Sequence, residues 1–202
     1  MKEWLQSYGY LLWVLALVIV VFIVVFYFAV RAYSKHMKTY KAQEAEIKRL
    51  TALKEKFRDF DENTIKNTHN DEILEGVALI YQIHLQKKDD MEKEFLLLKE
   101  EQQYIYVLDV FVSDGSLKTF FKENTDILRS RIVPALKLVG LTEEAERAEK
   151  IRRMYDVTEE EISLSEKIID DEDRFFAESD ILTGIKLKSA EYIKENISLL
   201  KL

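Results

Sequence analysis

Histidine is the side chain best suited to acid–base catalysis at neutral pH and to metal binding, and this chain has three, at His36, His69 and His84. None has a glutamate three residues before it, which is the spacing that a helical di-metal carboxylate site requires. The chain contains no cysteine, so a thiolate nucleophile and a thiolate metal site are both excluded. His84 lies on an apolar helix face and is expected at the edge of a core rather than on a metal.

Other catalytic and ligand-binding motifs are also missing. The acidic run that begins at Asp171 suggests a calcium loop, but Phe176 stands where that turn requires glycine. The glycines are never close enough to form a phosphate-binding loop or a dinucleotide fingerprint, and no Gly-x-Ser-x-Gly elbow occurs. We therefore expect no catalytic residue, no metal site and no bound cofactor.

The polar residues that do share a pattern are carboxylates. Residues 141–180 contain six basic and fifteen acidic residues, a net charge of -9 in a chain whose total is -7. A helix over 159–176 would place four carboxylates within about 60° of one another, opposite an apolar stripe. This predicted partner-binding acidic face consists of Glu159, Glu166, Asp170 and Asp173. Glu172 falls among apolar residues, which indicates either a helix break near Asp170 or a buried carboxylate partnered by Arg174 or by a residue elsewhere.

Such a face admits two interpretations. A row of carboxylates can imitate a row of phosphates and attract a basic nucleic-acid-binding protein through the same long-range field. It can equally be the solvated side of an amphipathic helix, which keeps an acidic protein soluble. The sequence leaves both open.

The elements that must position these side chains are helices. Apolar residues recur three and four positions apart and no segment alternates with period two for long, so an all-α fold is predicted. The pattern predicts helices from about Asp71, over about Met91–Val112, over Ile127–Val139 and from Leu182 or Thr183 to Leu200, with Gly140 as a left-handed helix cap. The polar stretch 61–70 is the predicted linker.

An apolar segment lies near the N-terminus. Tyr10–Val30 carries no charged residue and is long enough to cross a bilayer, which takes about 20 apolar residues. It is too long for the apolar core of a signal peptide and lacks a small-residue cleavage site. The next eleven residues carry no acid but four bases, which are Arg31, Lys35, Lys38 and Lys41. The positive-inside rule predicts that these bases are cytoplasmic, where they would contact anionic lipid headgroups.

These patterns divide the chain into four segments. They are a short extracytoplasmic N-terminus (1–9), a transmembrane helix (10–30), a basic helical stalk and linker (31–66) and an acidic all-α domain (67–202). The predicted location is the cell membrane, with one span, the N-terminus outside and the domain in the cytoplasm. A partial apolar stripe along the stalk leaves self-association, and hence a homo-oligomer, open.

Three stretches of the domain carry a family resemblance. They are Tyr106–Phe111 running on through Gly115 to Phe120 and Phe121, then Ala135–Gly140, then Asp170–Phe176 followed by Tyr192 and Ile193. In these stretches the chain resembles a family of small bacterial helical domains whose best-known representative is a DNA-mimic protein. The turn Asp114-Gly115-Ser116 differs from the family's usual Asn-Gly-Gly, and members commonly lack a membrane anchor. The resemblance implies a compact helical domain more than an activity, because most members have none established.

The sequence therefore predicts a membrane-anchored, non-catalytic module that binds a protein partner through the acidic face and does not bind nucleic acid directly. The alternative is a membrane-tethered DNA mimic that sequesters a basic DNA-binding protein. A second alternative is an enzyme or small-ligand receptor of unknown type that uses the helical interior.

Overall fold

The computed structural model describes residues 2–155, 159–178 and 180–202, and within these ranges every regular element is a helix. The all-α prediction is confirmed. In chain order the helices are α1 (Lys2–Phe57), α2 (Glu62–Lys66), α3 (Asn70–Gln86), α4 (Met91–Leu97), α5 (Glu100–Asp114), α6 (Leu117–Glu123), α7 (Asp126–Leu138), α8 (Thr142–Tyr155), α9 (Glu159–Glu178), α10 (Ile181–Glu195) and α11 (Ile197–Leu200).

The chain divides into two units. The first ends at Ala52 and consists of the first part of α1, whereas the second is compact and runs from Leu53 to Leu202. The second unit thus starts before residue 67, from which the sequence predicts the acidic domain. The reason is that four apolar side chains ahead of that position are buried, namely Leu53, Phe57, Phe60 and Ile65.

The predicted transmembrane helix lies within α1. Among the described residues, no helix combines the length and the apolar character that crossing a membrane requires.

Helix α5 lies at the centre of the compact unit and packs against α3, α6, α7, α10 and α11. Its inward face carries Ile105, Leu108 and Phe111, all fully buried at the helical spacing that puts them on one side. The C-terminal residues are fixed by a buried hydrogen bond of 2.6 Å, in which the Tyr81 hydroxyl donates to the Leu200 carbonyl. Helix α9 packs on this core through α8, α6 and α10.

The predicted single helix over Met91–Val112 is wrong, because the chain breaks between α4 and α5. Leu98 has an extended backbone, with ψ at 151°. The backbone N–H of Lys99 donates to the side-chain oxygen of Gln102 at 2.9 Å, and the Gln103 amide donates to the Leu98 carbonyl at 2.8 Å. Side-chain hydrogen bonds therefore satisfy the helix end that the break creates.

The predicted linker contains a helix of its own. Asp61 caps α2 by accepting the backbone N–H of Thr64 at 2.8 Å, and Ile65 is fully buried. The cap predicted at Gly140 is confirmed, because this glycine has φ of +80° after the end of α7.

Candidate interaction surface

A lysine from α6 contacts the acidic face of α9. The Lys118 ammonium lies 2.7 Å from the Asp170 carboxylate and 3.7 Å from that of Glu166. The backbone N–H of the same lysine donates to the Asp173 carboxylate at 3.0 Å. This N–H is in the first turn of α6 and has no partner within its own helix, so the carboxylate satisfies it. Three of the four predicted residues are thus brought together around one basic residue.

The charge of Lys118 is stabilised by these contacts. Its hydrogen bond to Asp170, followed by the negative charges of Asp170 and Glu166, raises the pKa of the lysine above its ordinary value. The two carboxylates nevertheless stay accessible, because the side chains of Glu166 and Asp170 are 63% and 48% exposed. Asp173 is half-buried, and Glu159 starts α9 with a side chain that lies outside the described residues. The acidic face that can be described is therefore a short patch with a lysine inside it.

Glu172 is partnered from the neighbouring helix. Its carboxylate lies 2.8 Å from the Arg147 guanidinium and 2.6 Å from the Lys150 ammonium, both on α8, and only 12% of the side chain is exposed. Helix α9 continues through Asp170, so of the two explanations offered by the sequence the partnered carboxylate is the right one. The partners come from α8, whereas Arg174 lies 3.8 Å from Asp171.

The ion pairs of Glu172 affect its pKa more strongly than its burial does. Burial on its own raises the pKa of this carboxyl, but the hydrogen bonds from Lys150 and Arg147 hold the pKa below its ordinary value. The Arg147 guanidinium also stacks on Phe175, 3.7 Å from the ring centroid. These contacts attach α9 to α8 on the side away from Lys118.

A charged cluster that the sequence analysis missed lies among α3, α5 and α10. Burial, followed by the negative charge of Glu75, raises the pKa of Asp109 to about 7, while Lys186 opposes the rise. The three residues are far apart in the sequence, so no spacing rule joins them. A local signal does exist, because Asp109 is the one charged residue in the apolar run Tyr106–Phe111.

The predicted lipid-contact residues all lie in α1, in the first unit. Arg31 and Lys41 are exposed. The side chains of Lys35 and Lys38 lie outside the described residues.

A small cleft of about 290 Å³ lies at the surface of the compact unit. It is lined by Arg58, Asp59, Phe60, Ile80, Lys201 and Leu202. The Arg58 guanidinium already contacts carboxylates of Glu55 and Asp59, each at 3.3 Å. The cleft therefore offers a small anion one guanidinium group, from Arg58, and one ammonium group, from Lys201. The negative charge of Asp59 in the same lining opposes anion binding.

The histidines do not come together. His36 is exposed on α1, His84 is half-buried on α3, and His69 lies 3.2 Å from the Asp71 carboxylate. Within residues 2–155, 159–178 and 180–202, no three histidine or carboxylate side chains are grouped in a way that could hold a metal ion.

Comparison with known proteins adds no relative: no family model, no curated protein and no solved structure matches this chain.

Proposed function

We propose that this chain is a single-pass membrane protein without catalytic activity, whose cytoplasmic helical domain binds a protein partner through the acidic face of α9. The anchor is supported by the uncharged stretch Tyr10–Val30 and by the basic residues that follow it. With the basic flank inside, the N-terminus is extracytoplasmic and the domain lies in the cytoplasm.

The observation that carries the proposed surface is the exposure of Glu166 and Asp170 on a helix whose other side is fixed. Ile169 and Phe176 of the same helix are buried in the core, at 1% and 0% exposure. The two carboxylates are therefore held in place by packing and lose little side-chain freedom on binding. They lie in a segment with a net charge of -9, whose field attracts a basic surface over several ångströms.

A pull-down with the full chain in mild detergent tests this surface. The double substitution Glu166→Gln with Asp170→Asn removes two charges and leaves the side-chain shapes unchanged. Asp173 is kept, because it accepts a backbone N–H of α6. The control is Asp71→Asn with Glu191→Gln, which changes the net charge by the same amount at two exposed sites on α3 and α10. The partner should be lost with the first pair of substitutions and kept with the second. Equal recovery with both would reject the acidic face.

A membrane-tethered DNA mimic is the second candidate, and the carboxylate row and the family resemblance favour it. In that case the partner is a basic DNA-binding protein, and duplex DNA displaces it more strongly at low salt than at high salt. A partner that stays bound in the presence of excess DNA would rule out mimicry while leaving the acidic face in place. If the chain is instead an enzyme or a small-ligand receptor, the cleft available to a ligand lies at the surface beside Arg58 rather than in the helical interior, and Arg58→Ala should abolish ligand binding.

Membrane anchoring is tested separately from partner binding. The full chain should resist extraction by alkaline carbonate, and a C-terminal reporter that is active only outside the cytoplasm should stay silent. Release by carbonate would remove the anchor from the proposal, and an active reporter would reverse its orientation.

A further inference from the structure

A seven-residue repeat runs along the part of α1 that follows Arg31. Uncharged residues alternate three and four positions apart, at Tyr33, His36, Tyr40, Gln43, Ile47 and Leu50. In heptad terms, Tyr33, Tyr40 and Ile47 take position a and the other three take position d. The same spacing continues backwards through Ala29 and Phe26. We call the six positions from Tyr33 to Leu50 the stalk seam.

No charged residue of this part of α1 lies in the stalk seam. Eight Lys, Arg, Asp or Glu residues, counting Arg31 itself, occur from Arg31 to Leu50, and none of them is at position a or d. Six of the eight are at positions b, c and f, on the far side of the helix from the seam, and the other two are Glu44 and Glu46. The heptad pattern ends at the next a position, because that residue is the charged Lys54. The compact unit begins at about the same place, with the buried Leu53.

Five of the six side chains of the stalk seam are exposed, and Leu50 is half-buried. Tyr33, Tyr40 and Ile47 are 68%, 55% and 65% exposed. Ion pairs on the outer face, such as the 2.6 Å contact between Glu44 and Lys48, support the helix but leave the seam open. A helix with an apolar stripe gains most of its stability by burying that stripe against another element.

We infer that a second copy of this chain covers the stalk seam and forms a parallel, in-register, two-stranded coiled coil over Tyr33–Leu50. The parallel direction rests on the proposed anchor, because two copies inserted in one membrane point the same way. The stalk seam can pack against a second copy of itself, since it contains no Lys, Arg, Asp or Glu that would face the same charge on the other copy. The flanking g and e positions would pair Thr39 with Glu44 and Glu46 with Thr51, so no like charges meet.

The polar residues in the seam favour a parallel, in-register dimer over other arrangements. In such a dimer each d residue faces its own counterpart, so Gln43 meets Gln43 and His36 meets His36. A glutamine amide both donates and accepts, which lets the pair satisfy itself, whereas a shift of one heptad would place one Gln43 amide against the apolar Leu50 and the other against His36. A polar residue in a coiled-coil core costs stability and in return specifies register and strand number.

The area that the stalk seam can bury is smaller than the area that a dimer of free chains requires. The stalk seam offers roughly 500 Å² per copy if an aromatic side chain buries 150–250 Å² in full. A specific interface between free proteins buries about 800 Å² per partner. Confinement to one membrane raises the effective concentration and supplies the difference.

Cysteine scanning tests the inference directly, because the chain has no native cysteine. Single substitutions Tyr40→Cys, Gln43→Cys and Ile47→Cys place a thiol in the stalk seam, and Ala42→Cys and Ala45→Cys place one at positions c and f. All are made in the full chain and oxidised in intact membranes. The seam variants should give disulfide-linked homodimers about tenfold faster than the two controls, because only a and d residues approach their own counterparts. Equal rates at all five positions would indicate random collision, and no homodimer at any position would reject the seam.

A second pair of variants identifies what occupies the stalk seam. Adding Ile47→Asp to Gln43→Cys puts a charge into the seam and should abolish the homodimer, whereas adding Ala45→Asp should leave it intact. A crosslinked product of another mass in place of the homodimer would show that a different protein occupies the seam, and would overturn the inference.

Carbonate extraction of the same membranes separates this inference from the proposed function. Chains that resist extraction but form no homodimer reject the stalk seam and keep the anchor. Chains that are released by carbonate but still crosslink at the seam positions keep the coiled coil and remove the anchor.

Discussion

Replacing Asp109 with asparagine should make the protein more stable at neutral and alkaline pH. Asp109 is half-buried on α5, and burial followed by the charge of Glu75 raises its pKa from 3.8 to about 7. Because the folded state holds the proton more tightly than the unfolded state, the associated stability is fully present below about pH 4 and is lost as the pH rises towards 7. One pKa unit corresponds to about 1.4 kcal/mol, so the loss is at most about 4 kcal/mol. Asparagine has the same shape and no proton to lose.

The difference between the two proteins should therefore grow with pH. In urea unfolding, Asp109→Asn should come closest to the wild type near pH 4 and exceed it at pH 8 by about 1–4 kcal/mol, the lower figures reflecting solvent screening at a half-buried site. Asp126→Asn is the control, because that side chain is 96% exposed and its substitution should change the free energy of unfolding little. A difference between Asp109→Asn and wild type that stays constant from pH 5 to pH 8 would refute the assignment of the raised pKa to this carboxyl.

Two substitutions test how α9 and α3 are held. Glu172→Gln should cost about 1–3 kcal/mol in the free energy of unfolding near pH 7, because it removes the carboxylate that joins two cations of α8 to α9 and leaves Arg147 only its contact with Glu143. The cost should shrink as the pH falls below 4.5 and wild-type Glu172 takes up a proton. Asp171→Asn, at an exposed site, should change little. Gly76→Ala should cost about 1–3 kcal/mol, because the new methyl group would overlap the buried ring of Phe57. Gly184→Ala has open space around it and should be neutral or stabilise by up to about 1 kcal/mol, so equal effects at the two glycines would contradict the packing at Phe57.

The helices were predictable wherever an apolar stripe and a glycine stop coincide. The helix that ends before Gly140 is an example, since the left-handed backbone there favours glycine. The break at Leu98 was not predictable from the stripe, because Phe95, Leu98 and Gln102 keep helical spacing across it. What ends the helix is the side-chain capping by Gln102 and Gln103. The apolar period records which residues face the core but not which backbone groups are satisfied by side chains.

The same distinction explains why the candidate surface was only partly predicted. Helical spacing places Glu166, Asp170 and Asp173 on one side of α9, but spacing within one helix cannot show that Lys118, about fifty residues earlier, would lie among them. Nor can it show that Asp109 would share a half-buried site with residues of two other helices. Contacts between elements distant in the sequence depend on how the helices pack, and each helix pattern leaves that packing undetermined.

Lys118 also sets a requirement on any partner of the acidic face. A partner cation that binds Asp170 must compete with an ammonium that is already 2.7 Å away and is held there by its own helix. Glu166, at 3.7 Å and 63% exposed, is the less engaged carboxylate, so a single incoming cation gains more by binding there first. A partner that brings two or more cations can bind Glu166 and then displace Lys118 from Asp170, whereas a single lysine gains little over the contact it would replace. Lys118→Gln would remove this competition and should therefore tighten binding of a basic partner, whereas weaker binding would mean that Lys118 itself is part of the surface the partner contacts.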